Sequence, residues 1–184
     1  MWRVTLCFLV LLAACSPRGS TGVGSGPVGL DVADSALRGG SPELALQIAT
    51  SVLARNPDNE AALLTQGEAL TALGRLDQAG ASFARALEIN PTSVGGHIGL
   101  GRLLLPTNPA AAEAQFLDAL SREPRNAVAL NNLGIARDLQ GRHTDAQAAY
   151  RQALGINSDM SAAQVNLALS LAMSGQSRDE RKPC

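Results

Sequence analysis

Glu60–Ser93 and Ala127–Met160 match one another position by position without a gap. Gly67 answers to Gly134, Gly74 to Gly141, Ala79 to Ala146 and Phe83 to Tyr150. Ala86-Leu87 then answers to Ala153-Leu154, and Ile89 to Ile156. A period of about 34 residues constrains the fold more than composition does, because each unit is one supersecondary element that cannot bury its apolar face alone and must stack on its neighbours. Ala and Leu dominate the chain and aromatic residues make up only 3% of it. That composition favours closely packed helices over a β-sandwich.

Four units can be placed, at about 26–59, 60–93, 94–126 and 127–160. The first is degenerate: Ala33 and Ala36 replace the Gly and a large residue, and Ala49 replaces the aromatic. The third is one residue short, with the deletion near Pro106-Thr107-Asn108-Pro109. Residues 161–174 match one more first helix, with Leu167-Ala168 where Leu-Gly stands elsewhere. Residues 175–184 are polar and are expected to form a disordered tail.

This pattern resembles the tetratricopeptide repeat, a helix–turn–helix unit of the same length. The resemblance implies an all-α, right-handed solenoid of about four repeats plus a C-terminal capping helix, spanning 28–174. Gly67, Gly101 and Gly134 then lie where the second helix crosses the first too closely for a Cβ. Ala79 and Ala146 supply the small contact from the second helix. Phe83, Phe116 and Tyr150 fill the gap toward the next repeat, and Ala86, Ala119 and Ala153 pack on its first helix. Pro91 and Pro124 stop second helices, while Gly74 and Gly141 fall in turns where positive φ is expected. An Ala-rich bundle matching by chance is the competing account, but four units and a closing helix exceed the three or so that a stacked array needs.

In this family the first helices line a concave face. Carried over position by position, the partner-binding groove shows Leu64, Glu68 and Thr71, then Ile98, Arg102 and Leu105, then Asn131, Ile135 and Asp138. The last helix adds Val165, Leu169 and Ala172. Such a groove suits an extended or helical peptide with aliphatic anchors, with Asn131 bonding its backbone. The Lys and Arg set with which the best-known peptide-clamping members hold a terminal carboxylate is missing, so that function does not carry over. Contact with the chain's own N-terminal segment is the alternative use of this face. A terminal repeat should present a polar outer side, yet residues 162–173 read AAQVNLALSLAM. Val165, Leu169 and Met173 are therefore expected to form a terminal-helix interface, covered by a protein partner, a second copy or the tail.

The N-terminus reads as an address. Arg3 precedes an uncharged apolar run from Val4 to Ala14, too short for the roughly 20 residues of a membrane span and of signal-peptide length. Leu12-Ala13-Ala14-Cys15 resembles a bacterial lipobox, which implies removal of 1–14 and lipidation of the Cys15 thiol. An ordinary secretory signal that happens to contain a Cys is the simpler alternative. Ser16 after the Cys implies sorting to the outer membrane, facing the periplasm. Residues 15–27, rich in Gly, Ser and Pro, form a flexible tether. Cys7 leaves with the signal, so Cys184 is the remaining thiol, either an exposed bystander or one half of an intermolecular disulfide.

The formal net charge is −1 and the one Lys is Lys182. This balance argues against nucleic acid, whose phosphates call for clustered cations. His97 and His143, the only imidazoles, have no second His or Cys at metal-ligand spacing. No Ser lies in a nucleophile-elbow context. Neither catalysis, a cofactor, a metal nor a small-molecule substrate is expected. The run ALNNLGIARDLQGRHTDAQAAYRQAL followed by VNLALSLAMSG is most similar to the TadD family of Flp (tight-adherence) pilus assembly proteins. That resemblance, over about 28–175, implies a lipoprotein scaffold that assists assembly or localisation of the pilus secretion machinery, with a secretin or another pilus component as partner. A scaffold for peptidoglycan enzymes or outer-membrane protein assembly is the runner-up.

Overall fold

The computed structural model describes residues 27–179, with side chains from 29 to 175. The predicted signal, Cys15, the tether up to residue 26 and Cys184 lie outside the described residues. Those described form nine helices and no strand: α1 (Pro27–Arg38), α2 (Pro42–Leu53), α3 (Glu60–Ala72), α4 (Leu76–Ile89), α5 (Val94–Leu104), α6 (Pro109–Arg122), α7 (Ala127–Leu139), α8 (His143–Ile156) and α9 (Ser161–Asp179). Each helix packs on the next, and α1 also meets α3, α3 meets α5 and α7 meets α9. This is the all-helical solenoid that the period requires.

Local chemistry sets the boundaries. The side chains of Asn59, Ser93, Asn108 and Asn126 accept from the backbone N–H three residues on, capping α3, α5, α6 and α7. Pro42 and Pro109 open α2 and α6, where a missing N–H is harmless. Gly74 and Gly141 have φ of 72° and 74°, as expected, and Gly40 does the same in repeat one at 74°. Arg75 N–H donates to Leu70 O at 2.9 Å and Gly74 N–H to Thr71 O at 3.0 Å. This double bond closes the helix end in a Schellman turn, and it recurs at Gly40-Ser41 and Gly141-Arg142. The shortened third repeat turns differently: Asn108 N–H donates to Leu104 O at 2.8 Å, and Asn108 itself caps α6.

The core is a row of ring-on-glycine contacts. A Cβ on Gly67 would lie 2.5 Å from Phe83 Cε1, one on Gly101 2.5 Å from Phe116 Cε1, and one on Gly134 would overlap Tyr150 Cε1. Phe83, Phe116 and Tyr150 are all but fully buried, and Ala79, Ala86, Ala119, Ala146 and Ala153 are 0% exposed. Gly99 adds a contact that the sequence did not announce: a Cβ there would lie 2.5 Å from Phe83 Cδ1, so Phe83 is held between its own repeat and the next. α5 is built almost wholly around such needs, since Gly95 faces Leu64, Gly96 faces Leu87 and Gly101 faces Phe116. Repeat one closes with alanine on alanine, Ala33, Ala45 and Ala49 all being 0% exposed.

The last helix runs longer than expected. α9 continues past residue 174 to Asp179, because Gly175 does not take the positive φ that ends α1, α3 and α7. The predicted tail is thereby helical in its first part, and residues 180–184 lie outside the described residues.

Candidate interaction surfaces

The repeat register aligns one residue per first helix into rows along the concave face. One row runs Leu30, Leu64, Ile98, Asn131, Val165, and the next runs Asp34, Glu68, Arg102, Ile135, Leu169. The expected groove omitted α1, whose residues complete it. Leu30, Asp34, Leu37 and Arg38 of α1 join Leu64, Thr65 and Glu68 of α3 around a pocket of about 390 Å³. The signal was present in the sequence as the same register, one unit earlier, in a repeat whose core positions are degenerate.

The groove is unlike at its two ends. At the N-terminal end, Glu68 is solvent-facing between Asp34 and Arg102. Partial burial pushes its carboxyl above the usual range, Arg102 pulls it back, and Asp34 pushes it further up. Leu64 and Ile98 are half-buried beside it. At the C-terminal end the exposed side chains are apolar: Val165 is 65% exposed, Leu169 58% and Met173 37%. Ile135 is half-buried. Val128 and Leu139 of α7 and Leu171 of α9 are also exposed, and the sequence reading had not singled them out.

Two expected groove residues are turned inward. Asn131 is 5% exposed, and its Oδ1 accepts from Asn166 Nδ2 at 3.0 Å. It holds α9 rather than facing a ligand. Asp138 is the centre of a second network: Oδ1 accepts from Ser170 Oγ at 2.7 Å and from His143 Nδ1 at 2.9 Å, and Oδ2 accepts from the Tyr150 hydroxyl at 2.9 Å. Gln147 Nε2 donates to Ser170 O and to Ser174 Oγ. Burial and the neighbouring Asp138 carboxylate hold the Tyr150 phenol far above its ordinary range. Ser170 is 0% exposed and donates to a carboxylate rather than to an imidazole, so this is a helix-docking network and not a nucleophile assembly.

Elsewhere, His97 is a packing residue, joined to Gln115 Oε1 at 2.9 Å and to Pro91 O at 3.1 Å. Glu113 of α6 ties together the α7–α8 corner, accepting from Arg137, Gln140 and Arg142 at 2.7–2.9 Å. Burial pushes the Glu113 carboxyl up, but the bonds from Arg137, Gln140 and Arg142 outweigh it and hold it below the usual range. Among the described residues no three His, Cys, Asp or Glu gather as metal ligands, and no helix is long and apolar enough to cross a membrane.

The tetratricopeptide-repeat family model matches residues 30–94, 107–161 and 140–180. Cellulose synthase operon protein C of Xanthomonas axonopodis pv. citri (strain 306) is 38% identical over 87 residues, which cover 47% of this chain. The chain spans only 6% of that relative's length. Among solved structures, PilW, described as a widely conserved type IV pilus biogenesis factor, superposes with a TM-score of 0.74 at 29% identity, covering 81% of this chain and 70% of that one. The MamA protein superposes at 0.64 with 25% identity, covering 83% and 84%.

Proposed function

This chain belongs to the tetratricopeptide-repeat family, and from that premise we propose that it is a lipid-anchored scaffold that assists assembly or localisation of a Flp/Tad-type pilus apparatus. Members of the family are protein-interaction scaffolds, and the concave rows described above offer the surface for that role. One observation carries the pilus reading: the backbone and sequence likeness to PilW, a type IV pilus biogenesis factor. The TadD-like fourth repeat points the same way. The lipobox-like run ending in Cys15 supplies the anchor, at the outer membrane and facing the periplasm. A diacylated Cys gains about 0.8 kcal/mol per buried CH₂, and two chains hold a protein stably at a bilayer. Within this reading the groove takes a segment of a secretin or another pilus component. Its polar end, where Asp34 and Glu68 stand with Arg38 and Arg102, suits a polar segment, and its apolar end at Ile135, Val165 and Leu169 suits aliphatic anchors.

The test is photo-crosslinking in cells from Ile98 and, separately, from Val165, read by mass spectrometry. Crosslinks to a secretin or pilus component are expected. Crosslinks to peptidoglycan enzymes or barrel-assembly proteins instead would overturn the pilus reading. Cys15→Ser is expected to release the chain from the membrane fraction, and unchanged membrane retention would remove the anchor.

A further inference from the structure

In every repeat, one side of the first helix is buried by that repeat's own second helix. In repeats two to four this side carries Gly67, Gly101 and Gly134 under Phe83, Phe116 and Tyr150. Leu70, one turn on from Gly67, is 4% exposed. In repeat one the same side carries Ala33 and Ala36, clustered with Ala45 and Ile48 of α2, while Ala49 takes the place of the ring. α9 repeats this side one register further on, with Ala168 in the position of Ala33 and the three glycines, and Leu171 in that of Ala36 and Leu70. Yet Ala168 is exposed and Leu171 is 45% exposed. The buried side of α9 is a different one, holding Ala163 and Ser170.

We propose that the Ala168–Leu171 side of α9 docks a single amphipathic helix of a partner protein, seated as a second helix sits within a repeat. The surface continues an interface that the array already makes four times. Its chemistry states what the partner presents. A Cβ at the glycine position would lie 2.5 Å from the rings of Phe83 and Phe116, so Ala168 excludes an aromatic in that seat. It calls for the arrangement of α2, with small residues four apart and an aliphatic between, as in Ala45–Ile48–Ala49. Ser161 to Gly175 contains no Asp, Glu, Lys or Arg, so the docking edge of the partner helix is uncharged. Leu171 is the large exposed side chain on this side, since Val165 and Leu169 belong to the concave rows, and so narrow a face fits the edge of one helix rather than a second copy. None of this depends on which apparatus the chain serves.

The experiment uses the full chain and two fluorescent, helix-stabilised synthetic peptides, one with the sequence of residues 42–55 and one with that of residues 143–156. Fluorescence polarisation is expected to show binding of the first, and binding of the second about tenfold weaker or less, because its Tyr meets the Ala168 Cβ. Ala168→Gly should close that gap by admitting the ring. Leu171→Asp should weaken the first peptide about tenfold with helical content unchanged. Four results would overturn the proposal: no binding of either peptide, binding indifferent to Leu171→Asp, self-association that Leu171→Asp abolishes, or binding that appears only after deletion of 180–184. The third places a second copy on this surface, and the fourth places the chain's own tail there.

Discussion

Gly134→Ala tests the ring-on-glycine core directly. The added Cβ would overlap Tyr150 Cε1 and lie 2.7 Å from Cδ1 and Cζ. The ring is 1% exposed and its hydroxyl is pinned to Asp138 Oδ2 at 2.9 Å, so it has no free direction in which to move. Overpacking of this kind costs about 1–3 kcal/mol. Straining a hydrogen bond to a charged group adds up to about 1–3 kcal/mol. Against this, Ala gains about 0.8–1 kcal/mol of helix propensity over Gly. The net expectation is a loss of about 1–5 kcal/mol. Gly155→Ala, in the last turn of α8, makes the same chemical change with nothing within 4 Å of the new Cβ, and should gain about 0.5 kcal/mol. Urea unfolding followed by circular dichroism compares the two. With a slope of about 1–3 kcal/mol per M, their midpoints should move in opposite directions at constant slope. A Gly134→Ala midpoint at or above wild type would refute the claim that the ring forbids a Cβ there.

Glu113→Gln should destabilise by about 1–2 kcal/mol at neutral pH. Because the folded-state pKa of Glu113 is depressed, the stabilisation is present above the unfolded carboxylate range and lost as pH falls through the folded value. Wild-type and variant stabilities measured against pH should therefore converge on acidification, and a gap that persists there would contradict the assignment. Glu68→Gln should show the opposite sign. The folded pKa is raised, so ionised Glu68 opposes folding above it, the variant gains at neutral pH, and the advantage fades as pH drops toward the unfolded value. Ser170→Ala removes a bond to the Asp138 carboxylate and should speed amide exchange in α9 by about tenfold. The protection of α3 and α4 should stay unchanged, and equal acceleration across the chain would argue that α9 is not docked as a separable unit.

The ring-on-glycine contacts were legible because they lie inside a single period: Gly67 with Phe83 and Gly134 with Tyr150 recur at one spacing in two copies. The turns were legible for the same reason. Gly99 was not, because its partner Phe83 belongs to the preceding repeat and the equivalent place in repeat four is Asn132, so no recurrence marks it. Asn131 and Asp138 were assigned to an open groove on register alone. Register says which way a residue points and not whether the neighbouring helix has already engaged it, and here Asn166 and Ser170 of α9 have done so. The exposure of Val165 and Leu169 was foreseen from a run, residues 162–173, that is apolar nearly all round. Its extension to Asp179 was not, since the same Gly that turns α3 and α7 lies within the helix when its φ stays negative.

The glycines of α5 have a consequence for the order in which the array forms. Gly95, Gly96, Gly99 and Gly101 together forfeit roughly 3–4 kcal/mol of intrinsic helicity relative to alanine. As an isolated segment, α5 has the poorest reason of any element to be helical. Its order is lent by Leu64, Phe83 and Leu87 from repeat two and by Phe116 from α6. α5 can therefore set only once repeat two and α6 are there to pack on it. The same debt runs the other way on unfolding: a lesion in repeat two withdraws the support of α5, and the break passes to repeat three instead of stopping at the boundary between them.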